Sequence, residues 1–371
     1  MKNISLFKVR MNSEVIKNVE ETLYSGFVGE GDKVKEFEEE LKEYFGYPYV
    51  LAVNSATSAL HLVLHMLKKE YKGCEVLCTP LTCFATNAPV ILNDYHIKWV
   101  DVDLETCNMD LKDLERKITP NTKIILFVCW GGMPIDYLKL DQIIEKCDDK
   151  FGFKPIVIED LAHSMGATYG NRNLGTFMDG YAAYSFQAIK HVTSVDGGAL
   201  LCPDEDSYKR AKLLRWYGMS RETGKKDFRC QDDVPEAGFK FHMNNVSAAV
   251  GLENLRSYDG GVRNRFIAQI YNKAFMGNSD ISLIPYDESC SYWLYTMFVK
   301  RQKDFMTKMK DKGIMTSRVH ERNDIYSCVK EYRSLLPNLD KVVDEMVCLP
   351  CHFGILDNDI DYIVGCVKEG W

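Results

Sequence analysis

Lys190 has the setting in this chain that best suits covalent chemistry. It follows Tyr181–Phe186, an apolar run that predicts a short buried strand, and it precedes the turn signal Asp196-Gly-Gly and a second apolar run from Ala199. Most lysines are solvated, and that is the ordinary interpretation of a lysine taken alone. Apolar and hydroxyl residues flank this one, and a lysine that loses solvation offers a neutral amine that can form a Schiff base.

A candidate anion site follows the strand predicted at Tyr49–Val53, where Asn54-Ser-Ala-Thr-Ser-Ala-Leu opens an amphipathic helix. A strand that runs into a capped helix leaves backbone N–H groups free at the helix start. These donors and the positive end of the helix dipole suit a phosphate. Ser55, Thr57 and Ser58 are also ordinary helix caps, so both interpretations stay open.

Two further predicted strands end in residues that could contact a ligand. Lys123–Cys129 runs into Trp130-Gly-Gly, and Pro155–Asp160 ends in an acidic residue that Leu-Ala-His163 follows. A turn at the carboxyl end of a strand is where α/β sheets place ligand contacts. Asp160 could instead cap a helix, and a single histidine is more often structural than catalytic.

The pattern SFxxxK followed by DGG, from Ser185 to Gly198, resembles the pyridoxal 5′-phosphate (PLP) attachment site of the DegT/StrS family of sugar aminotransferases. Other segments resemble that family in the same order along almost the whole chain. Asp160 stands 30 residues before Lys190, as in the family's EDxAHxxG…SFxxxK order. The resemblance implies that Lys190 is catalytic and that the cofactor contacts come from Ala56, Thr57, Phe84, Asp160, His163, Ser185, Lys190 and Lys240.

The resemblance also implies a role for each contact. Residues 56–57, in a segment similar to the family's NSGTxAL, would bind the phosphate together with Ser185. Phe84, in a loop similar to PxxTFxAT, would stack on the cofactor ring. Asp160 would keep the pyridine nitrogen protonated so that the ring accepts electrons, and His163 would lie against the ring face or its phenolic oxygen.

Two of these positions depart from the family pattern. Ala56 replaces the usual glycine, a change that a backbone contact tolerates. Lys240, in Gly238-Phe-Lys-Phe-His-Met243, stands where the GYNYRM motif has an asparagine that reaches the PLP phosphate of the neighbouring subunit. An ammonium can also serve a phosphate, although a solvated lysine is the alternative. The resemblance thus implies a homodimer whose active sites are built from both subunits.

Four residues are candidates for substrate contacts, namely Phe27, Trp130, Arg318 and His320. Phe27 lies in a glycine-rich segment, similar to an SGxxxxG segment that borders the family's active site, with ordinary packing as the alternative. Trp130 stands near a position where the family often has His or Tyr. Arg318 and His320 belong to a polar segment that replaces the family's usual substrate-facing segment, or that forms only a surface loop.

Alternating strands and helices predict an α/β fold. The resemblance implies a fold-type I PLP-dependent transferase with a large, mainly parallel seven-stranded sheet domain and a smaller α+β C-terminal domain. We expect the large PLP-binding domain, including the N-terminal segment, at residues 1–255 and the small domain at residues 256–371. A chain of 371 residues, 46% of them hydrophobic, can bury a core of this size.

Composition argues against several other classes of protein. The net charge of −7 and the mostly dispersed basic residues argue against a nucleic-acid binder. There is no apolar run of membrane-spanning length and no signal-peptide core, and thirteen cysteines in apparent strands and helices are typical of a reducing compartment. We therefore expect a cytoplasmic protein without nucleic-acid or membrane partners. The Cys348-Leu-Pro-Cys-His352 run lacks a second pair at zinc spacing, so no metal site is predicted.

The implied reaction moves an amino group from L-glutamate to a nucleotide-linked keto sugar, with 2-oxoglutarate as co-product and pyridoxamine 5′-phosphate (PMP) as the intermediate cofactor form. Asp196 stands six positions after Lys190, as in family members that act at C4 and resemble KxxTxxEGG. We therefore expect a 4-keto-6-deoxy acceptor, in amino-sugar biosynthesis for a surface polysaccharide or glycoside. The alternatives are a 3-keto sugar aminotransferase and a PLP-dependent sugar dehydratase, although the dehydratases commonly replace this lysine by histidine. A nicotinamide-dependent enzyme would need a glycine-rich loop after a strand, which is not evident.

Overall fold

The computed structural model describes residues 2–221 and 233–371. The strands, in chain order, are β1 (Val50–Val53), β2 (Glu75–Cys78), β3 (His96–Trp99), β4 (Thr122–Val128), β5 (Ile156–Asp160), β6 (Thr168–Tyr169), β7 (Arg172–Asn173), β8 (Tyr181–Ser185), β9 (Gly198–Leu201), β10 (Ile281–Leu283), β11 (Tyr295–Val299) and β12 (Met346–Leu349). The α-helices are α1 (Glu14–Tyr24), α2 (Asp32–Phe45), α3 (Ala56–Tyr71), α4 (Phe84–Leu92), α5 (Leu111–Lys117), α6 (Tyr137–Phe151), α7 (Glu205–Leu214), α8 (Asn245–Arg256), α9 (Val262–Phe275), α10 (Gln302–Asp311), α11 (Pro337–Glu345) and α12 (Asp357–Lys368). Short 3₁₀ helices cover Trp130–Gly132, Asn323–Ile325 and Ser327–Tyr332.

A large sheet forms the centre of the N-terminal part. Within the described part of the chain, seven strands pair in the order β1-β9-β8-β5-β4-β2-β3. The neighbours from β8 to β3 are parallel, whereas β9 is antiparallel to both β8 and β1. The predicted α/β fold with a large and mainly parallel sheet is therefore confirmed.

Helices cover both faces of this sheet, and β1 at its edge is apolar at all four positions. In β1, Leu51 and Val53 enter one hydrophobic layer, and Val50 and Ala52 enter the other. Successive side chains of a strand point to opposite faces, so covering both sides of the sheet buries every side chain of β1. Residues of α3 belong to the first layer, and residues of α2, α6 and α8 belong to the second.

The carboxyl ends of the parallel strands meet at one edge of the sheet. Val128 at the end of β4 pairs with Asp160 at the end of β5, and Asp160 also pairs with Ala183 of β8. Ser185, the last residue of β8, pairs with Gly198, the first residue of β9. Open α/β sheets bind ligands at this edge because the loops that follow the strands converge there.

The C-terminal part has its own sheet and hydrophobic layer. Strands β10, β11 and β12 form an antiparallel sheet in that order, and α9, α10 and α12 pack against it. Ile4 joins this layer and pairs with Ile314. The N-terminal segment therefore contacts the smaller sheet, although we assigned it to the large domain. The division between residues 255 and 256 stays a prediction.

Twelve cysteines fall in the described ranges, and all twelve are free thiols. No cluster of three or more His, Cys, Asp or Glu side chains in residues 2–221 and 233–371 has a geometry that would hold a metal ion. Over the same residues, none of the helices has the length and apolar character needed to cross a membrane.

Candidate active site

Asp160 occupies a buried position at the carboxyl end of β5. Its Oδ2 accepts a hydrogen bond from Thr86 Oγ1 at 2.6 Å, and its Oδ1 accepts one from the Ala162 N–H at 3.0 Å. Burial raises the pKa of Asp160, and these hydrogen bonds and the charge of Lys190 oppose that rise. Among the described residues, no basic side chain forms a salt bridge with this carboxylate. The site therefore holds a buried acidic group whose charge lacks a direct partner.

Lys190 lies in the connection between β8 and β9, close to Asp160. The connection is closed by hydrogen bonds from the Phe186 N–H to the Gly197 carbonyl at 2.8 Å and from the Ser194 N–H to the Phe186 carbonyl at 2.9 Å. Burial lowers the pKa of the Lys190 amine to about 7, and the Asp160 carboxylate opposes that shift. A substantial fraction of this amine is therefore neutral at neutral pH, as a nucleophile or proton acceptor requires.

The start of α3 presents free backbone donors beside the end of β8. Ser55 caps the helix, and its side chain accepts a hydrogen bond from the Ser58 N–H at 3.1 Å. The N–H groups of Ala56 and Thr57 belong to the first turn, where a helix offers no acceptor. A Cβ atom added to Gly198 would lie 2.5 Å from Ala56 N and 2.8 Å from the Tyr184 carbonyl oxygen. Only a glycine at 198 therefore lets β9 approach the helix start this closely.

His163 is a buried and neutral histidine in the same region. Its Nδ1 accepts a hydrogen bond from the Gly131 N–H at 3.3 Å, which assigns the proton of the neutral ring to Nε2. Burial lowers its pKa well below the ordinary value, and the positive charge of Lys190 adds to that effect. A Cβ atom on Gly132, whose φ is 90°, would lie 2.7 Å from the His163 carbonyl. The Gly-Gly turn after β4 is thus needed to bring Trp130 and His163 together.

The predicted ring contact Phe84 begins α4 and is half-buried. Its ring packs edge-to-face on Tyr326, with centroids 5.1 Å apart. Trp130 is fully buried, and its Nε1–H donates to Thr296 Oγ1 at 3.0 Å. Its ring meets His163 edge-on at 5.8 Å and His320 at 5.9 Å. Trp130 therefore belongs to the wall around His163 rather than to the surface.

His320 lies beside His163, and its Nε2 is buried without a hydrogen-bond partner in the described structure. The two imidazole rings are parallel within 5°, with centroids 5.7 Å apart. Burial lowers the pKa of His320 to about 4, and the Lys190 charge adds to that effect. Val319, just before it, has φ 68°, a left-handed conformation that is strained for a β-branched residue. Arg318 instead pairs with Glu321 at 2.6 Å.

Two predicted residues lie apart from this cluster within the single chain. Phe27 is 79% exposed, and its carbonyl accepts a hydrogen bond from Asn245 Nδ2 at 2.7 Å. Lys240 is exposed, and its carbonyl accepts a hydrogen bond from Asn54 Nδ2 at 3.2 Å. The backbone at Lys240 thus touches the segment that leads into α3. The observed hydrogen bonds of both residues are made by their backbones, and the Phe27 N–H also donates to Ser25 Oγ at 3.1 Å.

Two residues of the cluster escaped the sequence analysis. Thr86 lies in the first turn of α4, within the segment that resembles PxxTFxAT, but the sequence analysis gave it no role. Trp293 lies 103 residues beyond Lys190 in the chain, just before β11, and its ring centroid is 3.4 Å from Lys190 Nζ. No motif in the sequence indicates this contact, because it depends on how the smaller sheet packs on the larger one.

Residues 9–368, nearly the whole chain, match the DegT/DnrJ/EryC1/StrS aminotransferase family. The chain belongs to this family. Among solved structures, AtS13 from Actinomadura melliaura is 40% identical to it, with 100% of both chains covered and a TM-score of 0.96. The sugar aminotransferase CalS13 from Micromonospora echinospora is 38% identical over 99% of this chain and 100% of that chain, with a TM-score of 0.95. Spr1654 from Streptococcus pneumoniae, in its PMP form, is 26% identical over 99% and 98% of the two chains, with a TM-score of 0.91.

The protein is thus a sugar aminotransferase that uses PLP, as the resemblance implied. Spr1654 has been solved in both PLP and PMP forms. The described residues of the aminotransferase fit this cofactor. The free N–H groups at Ala56 and Thr57 suit its phosphate, and the unpaired carboxylate of Asp160 suits a protonated ring nitrogen. The half-buried ring of Phe84 offers a stacking surface.

The close approach of β9 to α3 leads to a testable expectation. Gly198→Ala should weaken PLP binding by roughly ten-fold to a hundred-fold, because the added methyl group pushes the helix start away and overpacking of this kind costs about 1–3 kcal/mol. Titration of the PLP-free enzyme with PLP, followed by absorbance, measures the dissociation constant. Gly365→Ala in α12 is the matched control, since a Cβ atom there meets nothing within 4 Å. Equal affinities of both variants and the parent would contradict the binding of the PLP phosphate at the start of α3.

Proposed function

We propose that this aminotransferase transfers the amino group of L-glutamate to the C4 ketone of a nucleotide-linked 6-deoxy sugar, and releases 2-oxoglutarate and a 4-amino sugar. The observation that carries amino transfer is the Lys190 amine, whose pKa burial lowers to about 7 beside Asp160. Support for C4 comes from the spacing of six positions between Lys190 and Asp196, which resembles that of family members acting at C4. The hydrogen bonds that close this connection fix the path of the backbone around the amine.

Lys190 is the attachment point of the cofactor and the proton carrier. Its neutral Nζ takes the proton from the α carbon of the amino donor. PLP, when bound, supplies a ring that accepts the electron pair left on that carbon. In the half-reaction with the sugar, the Lys190 ammonium delivers a proton to the carbon that receives the nitrogen. An amine with a pKa near 7 serves both directions, because it gains and loses its proton with similar ease.

Asp160 keeps the ring nitrogen protonated. Thr86 and Ala162 donate to its two oxygens, so the carboxylate is oriented before the cofactor binds. A carboxylate buried without a cation is costly, and a protonated nitrogen opposite it relieves that cost. His163 carries its proton on Nε2 and can donate it to the phenolic oxygen of the cofactor, because Gly131 already occupies Nδ1.

A homodimer completes the site in this proposal. Phe27 exposes 79% of its surface although it is aromatic, which a subunit contact would explain. The Lys240 side chain is exposed while its backbone is held by Asn54, so its ammonium can reach a phosphate across a subunit interface. Sedimentation of the purified enzyme tests the dimer. A monomer that shows full activity would refute shared active sites.

Sugar specificity is tested with nucleotide-linked 3-keto and 4-keto 6-deoxy sugars, each incubated with the enzyme, PLP and L-glutamate. We expect amination of the 4-keto sugars only, because the short connection after Lys190 sets which sugar carbon reaches the cofactor. Mass spectrometry and NMR of the product identify the aminated carbon. Amination at C3 alone would refute the proposal, and absence of amination with every sugar would favour the dehydratase.

The donor is tested separately, without any sugar. Adding L-glutamate to the PLP form should convert its absorption spectrum to that of the PMP form. L-glutamine and L-aspartate serve as comparison donors at the same concentration. Conversion by one of these but not by glutamate would correct the donor and leave the acceptor proposal untouched.

A further inference from the structure

Trp293 contacts the side chain of Lys190 and the backbone of the preceding residue, Ile189. Lys190 Nζ lies 3.4 Å from the centroid of the indole ring. The indole Nε1–H donates to the Ile189 carbonyl at 2.9 Å. One side chain thus anchors the backbone just before the lysine and also offers a surface to its amine. A cation over an indole face is attracted by the ring quadrupole, most strongly where water is excluded.

The indole ring is itself held rigidly. It stacks on His163 with centroids 4.1 Å apart and an interplanar angle of 23°, and on Phe7 at 5.0 Å and 21°. Tyr292, just before it, is a buried non-glycine residue with φ 49°, and its carbonyl accepts a hydrogen bond from Asn264 Nδ2 at 2.8 Å. Strained backbone persists only where the surroundings enforce it, and it is concentrated at functional sites. The position of the Trp293 ring is therefore determined before the lysine meets it.

We propose that Trp293 is a positioning residue, and that its indole face holds the Lys190 ammonium whenever the lysine is not joined to the cofactor. The inference rests on the role proposed for Lys190 above. Amino transfer frees the lysine in each half-reaction and requires its return, and a four-carbon side chain has many rotamers in which it would point elsewhere. The ring face reduces this set to the rotamers near the reacting carbon.

The charges around the amine make such a surface useful. Burial disfavours the ammonium, while the charge of Asp160 favours it. Three histidines near Lys190 are neutral, because burial and the lysine charge lower their pKa values, namely His163, His191 and His320. Additional positive charge from these rings is thus avoided, and the indole adds an attraction that needs no counter-charge.

The test uses the full-length enzyme loaded with PMP, in which Lys190 is free. Cyanate carbamylates only the neutral amine, so the labelling rate of the Lys190 peptide, measured by mass spectrometry at several pH values, reports its titration midpoint. Trp293→Leu should lower this midpoint by about one pH unit, because the attraction of the ring for the ammonium is lost. Trp293→Phe keeps a ring face and should show a smaller decrease. Trp371→Leu, which removes an indole packed on Phe305, is the control and should leave the midpoint unchanged.

An unchanged midpoint in Trp293→Leu would overturn the proposal. If that variant does not fold, the tryptophan fluorescence of the parent tests the contact between Trp293 and Lys190 instead. Indole emission of the PMP form should change with pH across the Lys190 titration, and Lys190→Met should abolish that change. If the difference in indole emission between the parent and Lys190→Met did not change with pH, the contact would be refuted. The role proposed for Lys190 would be refuted by a different result, in which borohydride fixes the cofactor to another lysine. Failure of that role is therefore distinguishable from failure of the Trp293 proposal.

Discussion

Replacing Lys190 with alanine is expected to lower the rate of amino transfer by roughly 10⁴-fold or more, because the variant loses both the attachment point of PLP and the group that moves the proton. The cofactor should still bind, since the helix start of α3 and Asp160 are unchanged, but it should be removable by dialysis. Single-turnover conversion of the PLP form by L-glutamate, followed by absorbance, measures the loss. Added methylamine should restore a small part of the rate, because it supplies a free amine without changing the fold.

The matched control for this variant is Lys209→Ala. Lys209 is a surface lysine whose side chain is 62% exposed and pairs with Glu205 at 2.8 Å. Its replacement should leave the rate within experimental error of the parent, because exposed ion pairs of this kind contribute little. Borohydride reduction of the PLP form, followed by peptide mapping, should place the cofactor on Lys190. Near-normal turnover of Lys190→Ala would contradict the proposed mechanism.

Asp160→Asn is expected to slow the half-reaction with L-glutamate by roughly 10²–10³-fold, a loss typical of removing one preorganised electrostatic partner from a buried site. The amide has the shape of the carboxylate and can still accept a hydrogen bond from Thr86, so PLP should remain bound. The charge that stabilises a protonated ring nitrogen is gone, and the ring becomes a poorer electron acceptor. Stopped-flow absorbance of the variant and the parent gives the ratio of rates.

Thr86→Val separates the charge of Asp160 from its orientation. This variant removes the 2.6 Å hydrogen bond and keeps the carboxylate, so we expect a smaller loss of rate than in Asp160→Asn. The comparison needs equal cofactor occupancy, which absorbance before mixing verifies. A parent-like rate in Asp160→Asn would show that the electron-acceptor role assigned to this residue is wrong.

The family, the cofactor and the large sheet followed from the sequence because their signals are local. A strand that is covered on both faces forms a short, mostly apolar run, and the residues that meet a ligand stand at or just after its carboxyl end. Asp160 was therefore recognisable at the end of one apolar run, and Lys190 just after another, 30 residues further along the chain. Their roles stay predictions until the variants are measured, but their proximity at one sheet edge follows from parallel strands that end together.

Other parts of the site depend on contacts between distant segments. The need for glycine at 198 depends on how closely β9 passes the start of α3. A Cβ atom at this position would lie 2.5 Å from Ala56 N. The segment that contains His320 looked like a polar stretch that could be a surface loop, yet the imidazole lies parallel to His163.

By itself, the sequence determined which residues can do chemistry and the order in which strands present them, because residue type and local periodicity are properties of short segments. The tertiary structure alone decided what surrounds the Lys190 amine. Trp293 reaches it from just before β11, and its indole is held there by His163 from the loop after β5 and by Phe7 from the N-terminal segment. Such an environment arises when separate elements pack together, and packing between distant segments leaves no spacing pattern in the chain.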